Sequence, residues 1–279
     1  MAVSVRSQPG SHAGENNAEG KSVTRTGRSS DMQSASINAA YREASMEIQL
    51  LNHIHENPSI DSLRGNPQAI ADAIDKYAGN LDDARWLMTL GPDKSNFIKS
   101  VFARASPSPP KVFLEFGTYI GYSAIVLGAA LRDLNLDQGI RYITFEKTPI
   151  MAAIASSLIE LAGLKDVVEV HVGSAADSLR RLVAEGKLKK MDVDAVLLDH
   201  WKDFYISDLQ ACEELGLLRK GSIVLADNVK FPGVPEYLEY VKKGVAEKSA
   251  DGFRYSTQTA DFQFPFDGPE DQIAFSTVV

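Results

Sequence analysis

Cysteine is almost missing from this chain: Cys212 is the only one among 279 residues. No internal disulfide can form, and a reducing compartment is the expected setting. Long hydrophobic runs are missing too. The longest apolar stretch, AIVLGAAL, falls far short of the roughly 20 residues that span a bilayer. No apolar signal segment follows Met1, so a cytoplasmic protein without a membrane span is expected. Positive charge is in deficit, with 29 Lys and Arg against 37 Asp and Glu, a formal net charge of −8. That balance argues against a nucleic-acid partner. Neither CxxC nor HExxH occurs, which removes the usual zinc signatures.

Residues 1–36 also lack aliphatic residues at core spacing. The segment is rich in Ser, Gly, Asn, Gln and Arg and cannot bury enough apolar surface to offset ordering entropy. It reads as a disordered tail. Its arginines hint at a transit peptide, but Pro9, Glu15 and Glu19 count against one. Residues 37–279 read as a single domain. YREASMEIQLLNHIHEN, QAIADAIDKYAGN and DKSNFIKSVFARA carry apolar residues at helical steps, up to the breaker run SPSPP. The period then changes. VFLEFG, YITFEK, VVEVHVG, AVLLD and SIVLADN are short β-rich runs separated by helical stretches. This alternation predicts an α/β fold: a mostly parallel sheet with helices on both faces. After a last helix, PEYLEYVKKGVAEK, the runs FRYSTQTADF and QIAFSTVV flank the turn-rich PFDGPED and are expected to pair antiparallel.

Two crevices follow from that pattern. In the first, VFLEFGTYIGYSAIVLGAAL forms strand, glycine turn and helix. Gly117 and Gly121 would permit close backbone approach to a ligand at the helix N-terminus. The spacing is G-x-x-x-G, not the G-x-G-x-x-G of dinucleotide sites. Glu146 ends the next strand, where an acid can accept both hydroxyls of a ribose. Glu115, Gly117, Glu146 and Asp199 would all lie at the carboxyl ends of strands, where such sheets bind ligands. Together they suit S-adenosylmethionine on a Rossmann-like class I fold better than a nicotinamide cofactor.

In the second, AVLLD and SIVLADN each end an apolar strand in acid. If these strands are neighbours, their tips lie about 5 Å apart, or twice that with one strand between. Asp199, Asp227 and Asn228 would then converge as three oxygen donors, which suits octahedral Mg2+. Taken alone, Asp-Asn after a strand is more often a turn or a helix cap. The repetition after an earlier strand raises the metal reading.

DHWKDFY, followed by EELGLLRKGSIVLADNVKFPG, resembles the catechol O-methyltransferase family. LEFGTYIGYSA and the upstream LLNHI and RWLMTLG match it in the same order, from about Ile48 to the C-terminus. The resemblance implies a seven-stranded class I methyltransferase whose antiparallel C-terminal hairpin completes the sheet. It implies Lys202 as general base, with Asp199, Asp227 and Asn228 holding Mg2+. Trp86, Trp201 and Pro232 correspond to a hydrophobic gate around a catechol ring, and Met88 lies near the methyl donor. Tyr119, Ser123, Glu146 and His200 match cofactor contacts, and Leu90, Glu115, Gly117, Gly121, Lys147, Ala175, Asp199 and Trp201 complete that set. Substrate contacts are assigned to Trp86, Met88, Trp201, Lys202, Asn228, Pro232 and Asp261.

Two departures stand out. Asp261 takes the place of a family glutamate, one methylene shorter. Gly173-Ser174-Ala175-Ala176 stands where the family often has serine and glutamine near the adenine. The expected partner is a small-molecule catechol, and the expected state a monomer or at most a weak homodimer. A caffeoyl- or flavonoid-type diphenol, and a protein that binds the cofactor without turnover, are the competing readings. A dehydrogenase is a distant third.

Overall fold

A computed structural model describes residues 45–81, 86–135, 139–242, 253–263 and 268–279, all within the unit Ser45–Val279. The tail expected over 1–36 lies outside the described residues, as does the last helix beyond Lys242. The helical segments before the sheet are α1 (Met46–His55), α2 (Ile60–Leu63), α3 (Pro67–Gly79) and α4 (Gly91–Arg104). Asn66 starts α3 by accepting a hydrogen bond from the Ala69 amide at 3.1 Å, with Pro67 in the first turn.

The βα alternation then runs β1 (Val112–Phe116), α5 (Tyr122–Leu134), β2 (Arg141–Glu146), α6 (Pro149–Leu161), β3 (Val168–Val172), α7 (Ala175–Ala184) and β4 (Ala195–Leu198). A short 3-10 turn over Lys202–Phe204 leads into α8 (Tyr205–Glu214), then β5 (Ile223–Ala226) and α9 (Pro235–Lys242). Strands β6 (Tyr255–Gln263) and β7 (Glu270–Val278) end the chain. The sheet order is β3-β2-β1-β4-β5-β7-β6. β1 to β5 are parallel, whereas β7 runs antiparallel to both β5 and β6. The expected hairpin forms, and β7 begins earlier than the run QIAFSTVV suggested, taking in Glu270 and Asp271.

Side-chain parity along the strands decides which acids face which helices. Phe113, Leu197, Leu225 and Ile273 pack on one face with α1, α3, α4, α5 and α6. Leu114, Leu198, Ala226 and Ala274 pack on the other with α7, α8 and α9. Successive strand residues alternate faces. Glu115, Asp199, Asp227 and Asp271 therefore share the parity of the first face, the face that α4 covers. The strand order reverses between β1 and β4, and a crevice opens there at the strands' carboxyl ends.

Candidate active site

The glycine turn after β1 forms one wall of the crevice. Gly117 has φ 103°, and a Cβ there would lie 2.4 Å from the Asp199 carbonyl oxygen. Gly121 has φ 84°, and its Cβ would press on Ala155 of α6 at 3.2 Å. The close approach these glycines permit is thus to the chain's own backbone and to α6, rather than directly to a ligand. The turn is held from three sides. The Tyr119 amide donates to Glu146 Oε2 at 2.9 Å, the Tyr119 hydroxyl donates to Glu47 Oε1 at 2.6 Å, and the Tyr122 hydroxyl donates to Asp75 Oδ2 at 2.9 Å. The last two bonds tie α1 and α3 to the turn.

A cleft lies against this turn, lined among others by Met88, Leu90, Gly117, Tyr119, Ser123 and Asp199. Glu146 stands at the end of β2, where its second oxygen accepts from the Thr148 amide at 2.7 Å. Its remaining lone pairs can accept from a diol. Lys147 is exposed, with Nζ 5.8 Å from the centre of the Phe204 ring. His200 lies against the rings of Phe116 and Tyr205, and its Nε2 is 2.8 Å from Asp208 Oδ2. Ala175 is buried at the start of α7, and the one hydroxyl of that turn, on Ser174, caps the helix. Trp86, Met88 and Trp201 are exposed at 71%, 63% and 77%, each a large apolar side chain facing water. Pro232 is exposed too, following a cis bond from Phe231.

Glu115 is fully buried beneath this wall. Thr144 Oγ1 donates to its Oε2 at 2.6 Å, and Thr118 lies 2.5 Å behind Thr144. Burial is the main influence and pushes its carboxyl up to about 7, against nearby hydroxyls that favour the charge. A raised acid leaves stability intact below the unfolded value near 4.5 and removes it as pH climbs through 7. Glu115→Gln does not titrate. In urea unfolding of the ligand-free protein, it should gain about 2–3 kcal/mol more on the wild type at pH 8 than at pH 5. An equal difference at both pH values would contradict this.

The strand tips supply the second wall. β4 and β5 are direct neighbours, with Leu198 opposite Ala226, so Asp199 and Asp227 follow side by side. Asn228 takes φ 56°, a left-handed conformation that asparagine tolerates better than most residues. Lys202 Nζ donates to Asn228 Oδ1 at 2.9 Å and to the Tyr205 hydroxyl at 2.6 Å, and lies 3.9 Å from Asp199 Oδ1. The Tyr205 hydroxyl in turn donates to the Asp227 carbonyl at 3.0 Å. Burial, then the neighbouring Asp227, raises the Asp199 carboxyl well above its ordinary value. Asp227 is raised as well, chiefly by burial. Burial lowers Lys202 against the pull of both acids.

Two crowded carboxylates and an amide oxygen form a hard donor set that fits a divalent cation. Among the described residues, no group of three or more His, Cys, Asp and Glu is placed to hold a metal. The donor set here needs its amide.

Three comparisons bear on this arrangement. A family model described as O-methyltransferase matches residues 78–247. This chain belongs to the O-methyltransferase family. A catechol O-methyltransferase from Bos taurus is 39% identical over 202 residues, covering 71% of this chain and 67% of that protein. Catechol O-methyltransferase B from Danio rerio is 40% identical over 186 residues, covering 67% and 66%. The chain thus spans about two thirds of the length of these relatives. Among solved structures, an O-methyltransferase from Bacillus cereus in complex with SAH superposes with a TM-score of 0.59 at 23% identity. That match covers 76% of this chain and 91% of the other, and supports the class I fold.

In this O-methyltransferase the structure brings together residues that sequence reasoning passed over. Lys94 of α4 is buried, with Nζ 2.7 Å from Asp227 Oδ1 and 2.6 Å from Asp271 Oδ2. Asn228 Nδ2 donates to that same Asp271 oxygen at 2.9 Å. Asp261 sits on the exposed edge strand and accepts from Gln272 at 2.7 Å, so the β-hairpin acid that reaches Asn228 is Asp271. Two signals for these residues were present. A lysine in the first turn of a helix opposes the helix dipole, and Asp271 keeps period-two phase with the buried Ile273.

Proposed function

We propose that this O-methyltransferase transfers the methyl group of S-adenosylmethionine to one hydroxyl of a catechol, with Mg2+ bound by Asp199, Asp227 and Asn228. The observation that carries the reading is that Asp199 and Asp227 follow adjacent strands, with Lys202 Nζ 3.9 Å from Asp199 Oδ1 and 2.9 Å from Asn228 Oδ1, and that Asp199 lines the cleft beside the glycine turn. The relatives named catechol O-methyltransferase support the substrate class. Mg2+, when bound, would stabilise the oxyanion of a chelating diol as a Lewis acid. S-adenosylmethionine, when bound, would present an electrophilic methyl on a sulfonium.

The chain's own residues do the rest. Glu146 would accept the ribose hydroxyls. Leu90, Gly117, Tyr119 and Ser123 line the nucleoside side of the cleft, over Glu115 and Gly121, and Met88 packs near the methyl. Lys147, Ala175 and His200 would surround the adenine end. With Ala175 and Ala176 apolar and Ser174 committed to its cap, these residues would hold adenine chiefly by packing. Trp86, Trp201 and Pro232 flank the catechol ring and exclude water from it. Lys202 takes the proton from the reacting hydroxyl. Holding both reactants in line contributes up to about 7–11 kcal/mol of the barrier. The single buried cysteine suits a cytoplasmic enzyme.

The test is methyl transfer from labelled S-adenosylmethionine to catechol, a caffeoyl-type diphenol, a flavonoid diphenol and a monophenol, with and without EDTA. Transfer to vicinal diphenols only, lost with EDTA and restored by Mg2+, is expected. Equal rates with EDTA would remove the metal, and cofactor binding without turnover on any diphenol would leave a binding protein.

A further inference from the structure

Asparagine is an awkward metal ligand, because its amide has a right and a wrong way round. Only Oδ1 can bind a cation, whereas a flipped side chain would aim two N–H groups at it. Here the neighbours decide the orientation. Lys202 Nζ can only donate, and it sits 2.9 Å from Oδ1. Asp271 Oδ2 can only accept, and it sits 2.9 Å from Nδ2. A flip would turn both attractions into repulsions. Lys202 cannot hold the amide once a cation occupies that oxygen: an ammonium would be repelled by the cation, and the base role requires the free amine, turned toward the substrate. That leaves Asp271.

We infer that Asp271, anchored by Lys94, is a positioning residue that keeps the Asn228 amide oxygen turned toward Asp199 and Asp227. The inference rests on the Mg2+ reading above. Asp271 has no freedom of its own. It is fully buried, its Oδ1 accepts from the Phe231 amide at 2.9 Å, and its Oδ2 takes the Lys94 ammonium at 2.6 Å. Lys94 reaches Asp227 with the same nitrogen, at 2.7 Å. One ammonium from α4 thus clamps a metal-ligand carboxylate and the acid that orients the amide. The Phe231 bond also ties Asp271 to the turn that carries Pro232. A buried ion pair is weak evidence for stability, because apolar replacements often match it. Geometry at the donor set gives this one a use.

The amide–carboxylate contact can be reversed. Asp271→Asn alone replaces a charged group that can only accept with a neutral amide that can turn either its oxygen or its NH2 toward Asn228, so the contact no longer fixes the orientation. The exchange Asn228→Asp with Asp271→Asn keeps an amide-to-carboxylate hydrogen bond, now donated from position 271, and presents a carboxylate to the cation, which has no wrong face. Mn2+ binding is read from the loss of the free-ion electron paramagnetic resonance signal, with S-adenosylhomocysteine affinity as the check on the fold. Asp271→Asn should weaken Mn2+ by about 10–100-fold, the usual cost of losing a group behind a metal ligand, with little change for S-adenosylhomocysteine. The exchange should bring Mn2+ affinity back to within about threefold of the wild type, as expected when one pairwise contact carries the effect. Wild-type affinity in Asp271→Asn, or a folded exchange variant that stays as weak as the single one, would overturn the inference. If Asp271→Asn fails to fold, the exchange is compared with Asn228→Asp alone: tighter Mn2+ binding in the exchange, despite its smaller negative charge, supports the inference, and equal or weaker binding overturns it. A wild type that binds no Mn2+ would bring down the metal reading itself, and this inference with it.

Discussion

Lys202→Met should lower kcat by about 10²–10⁴-fold, the range a positioned general base contributes, while KM for catechol changes little. Position is the reason. The Lys202 nitrogen lies 2.9 Å from Asn228 Oδ1 and 3.9 Å from Asp199 Oδ1, so an oxygen bound beside those donors would lie within its reach. The Tyr205 hydroxyl fixes that nitrogen at 2.6 Å and is itself fixed on the Asp227 carbonyl. Methionine keeps the length and the apolar stem but cannot take a proton. Steady-state rates with saturating S-adenosylmethionine at neutral pH are the measurement. An unchanged kcat would remove the base role and leave Lys202 as a structural partner of Asn228.

The second large effect belongs to Asp199→Asn, and it separates activity from stability. The substitution keeps the shape and takes one negative charge from the donor set. Losing several kcal/mol of charge stabilisation in the transition state corresponds to about 10²–10⁴-fold in rate. Added Mg2+ should recover part of that loss, since a weaker site fills at higher concentration. The metal-free protein should not suffer. Burial and the adjacent Asp227 already disfavour the ionised Asp199 side chain, so a neutral isostere relieves repulsion. Paired assays of methyl transfer and thermal unfolding without metal are expected to show activity lost and the melting midpoint unchanged or raised. A variant that loses both together would point to a folding role for Asp199.

The divide between features legible in the sequence and features hidden from it has a physical basis. VFLEF, RYITFE, AVLL and IVLA announce buried parallel strands because short runs rich in β-branched, aromatic and leucine residues recur between helical stretches, and the structure has strands there. Asp199 and Asp227 stood out because acids break those runs. Only their separation was open, and the direct pairing of β4 with β5 closes it. Gly117 was legible as a glycine that had to be one, but not for the right neighbour. Its close neighbour is Asp199, far along the chain. Lys94 and Asp271 are 177 residues apart, and nothing local links a lysine in one amphipathic helix to an acid beside a turn. Their meeting depends on α4 covering the face toward which Asp227 and Asp271 point. Resemblance to a family drew attention to Asp261 in the same hairpin, whereas strand parity places Asp271 in the interior.

Anomalous scattering from crystals grown with Mn2+ and S-adenosylhomocysteine would show the donor set at work. The expected map has one strong peak in contact with the Asp199 and Asp227 carboxylates and Asn228 Oδ1, with the Lys202 nitrogen displaced from that oxygen. A map without such a peak, or with Asp199 turned away from an ion held elsewhere, would refute the shared site on which the proposed chemistry depends.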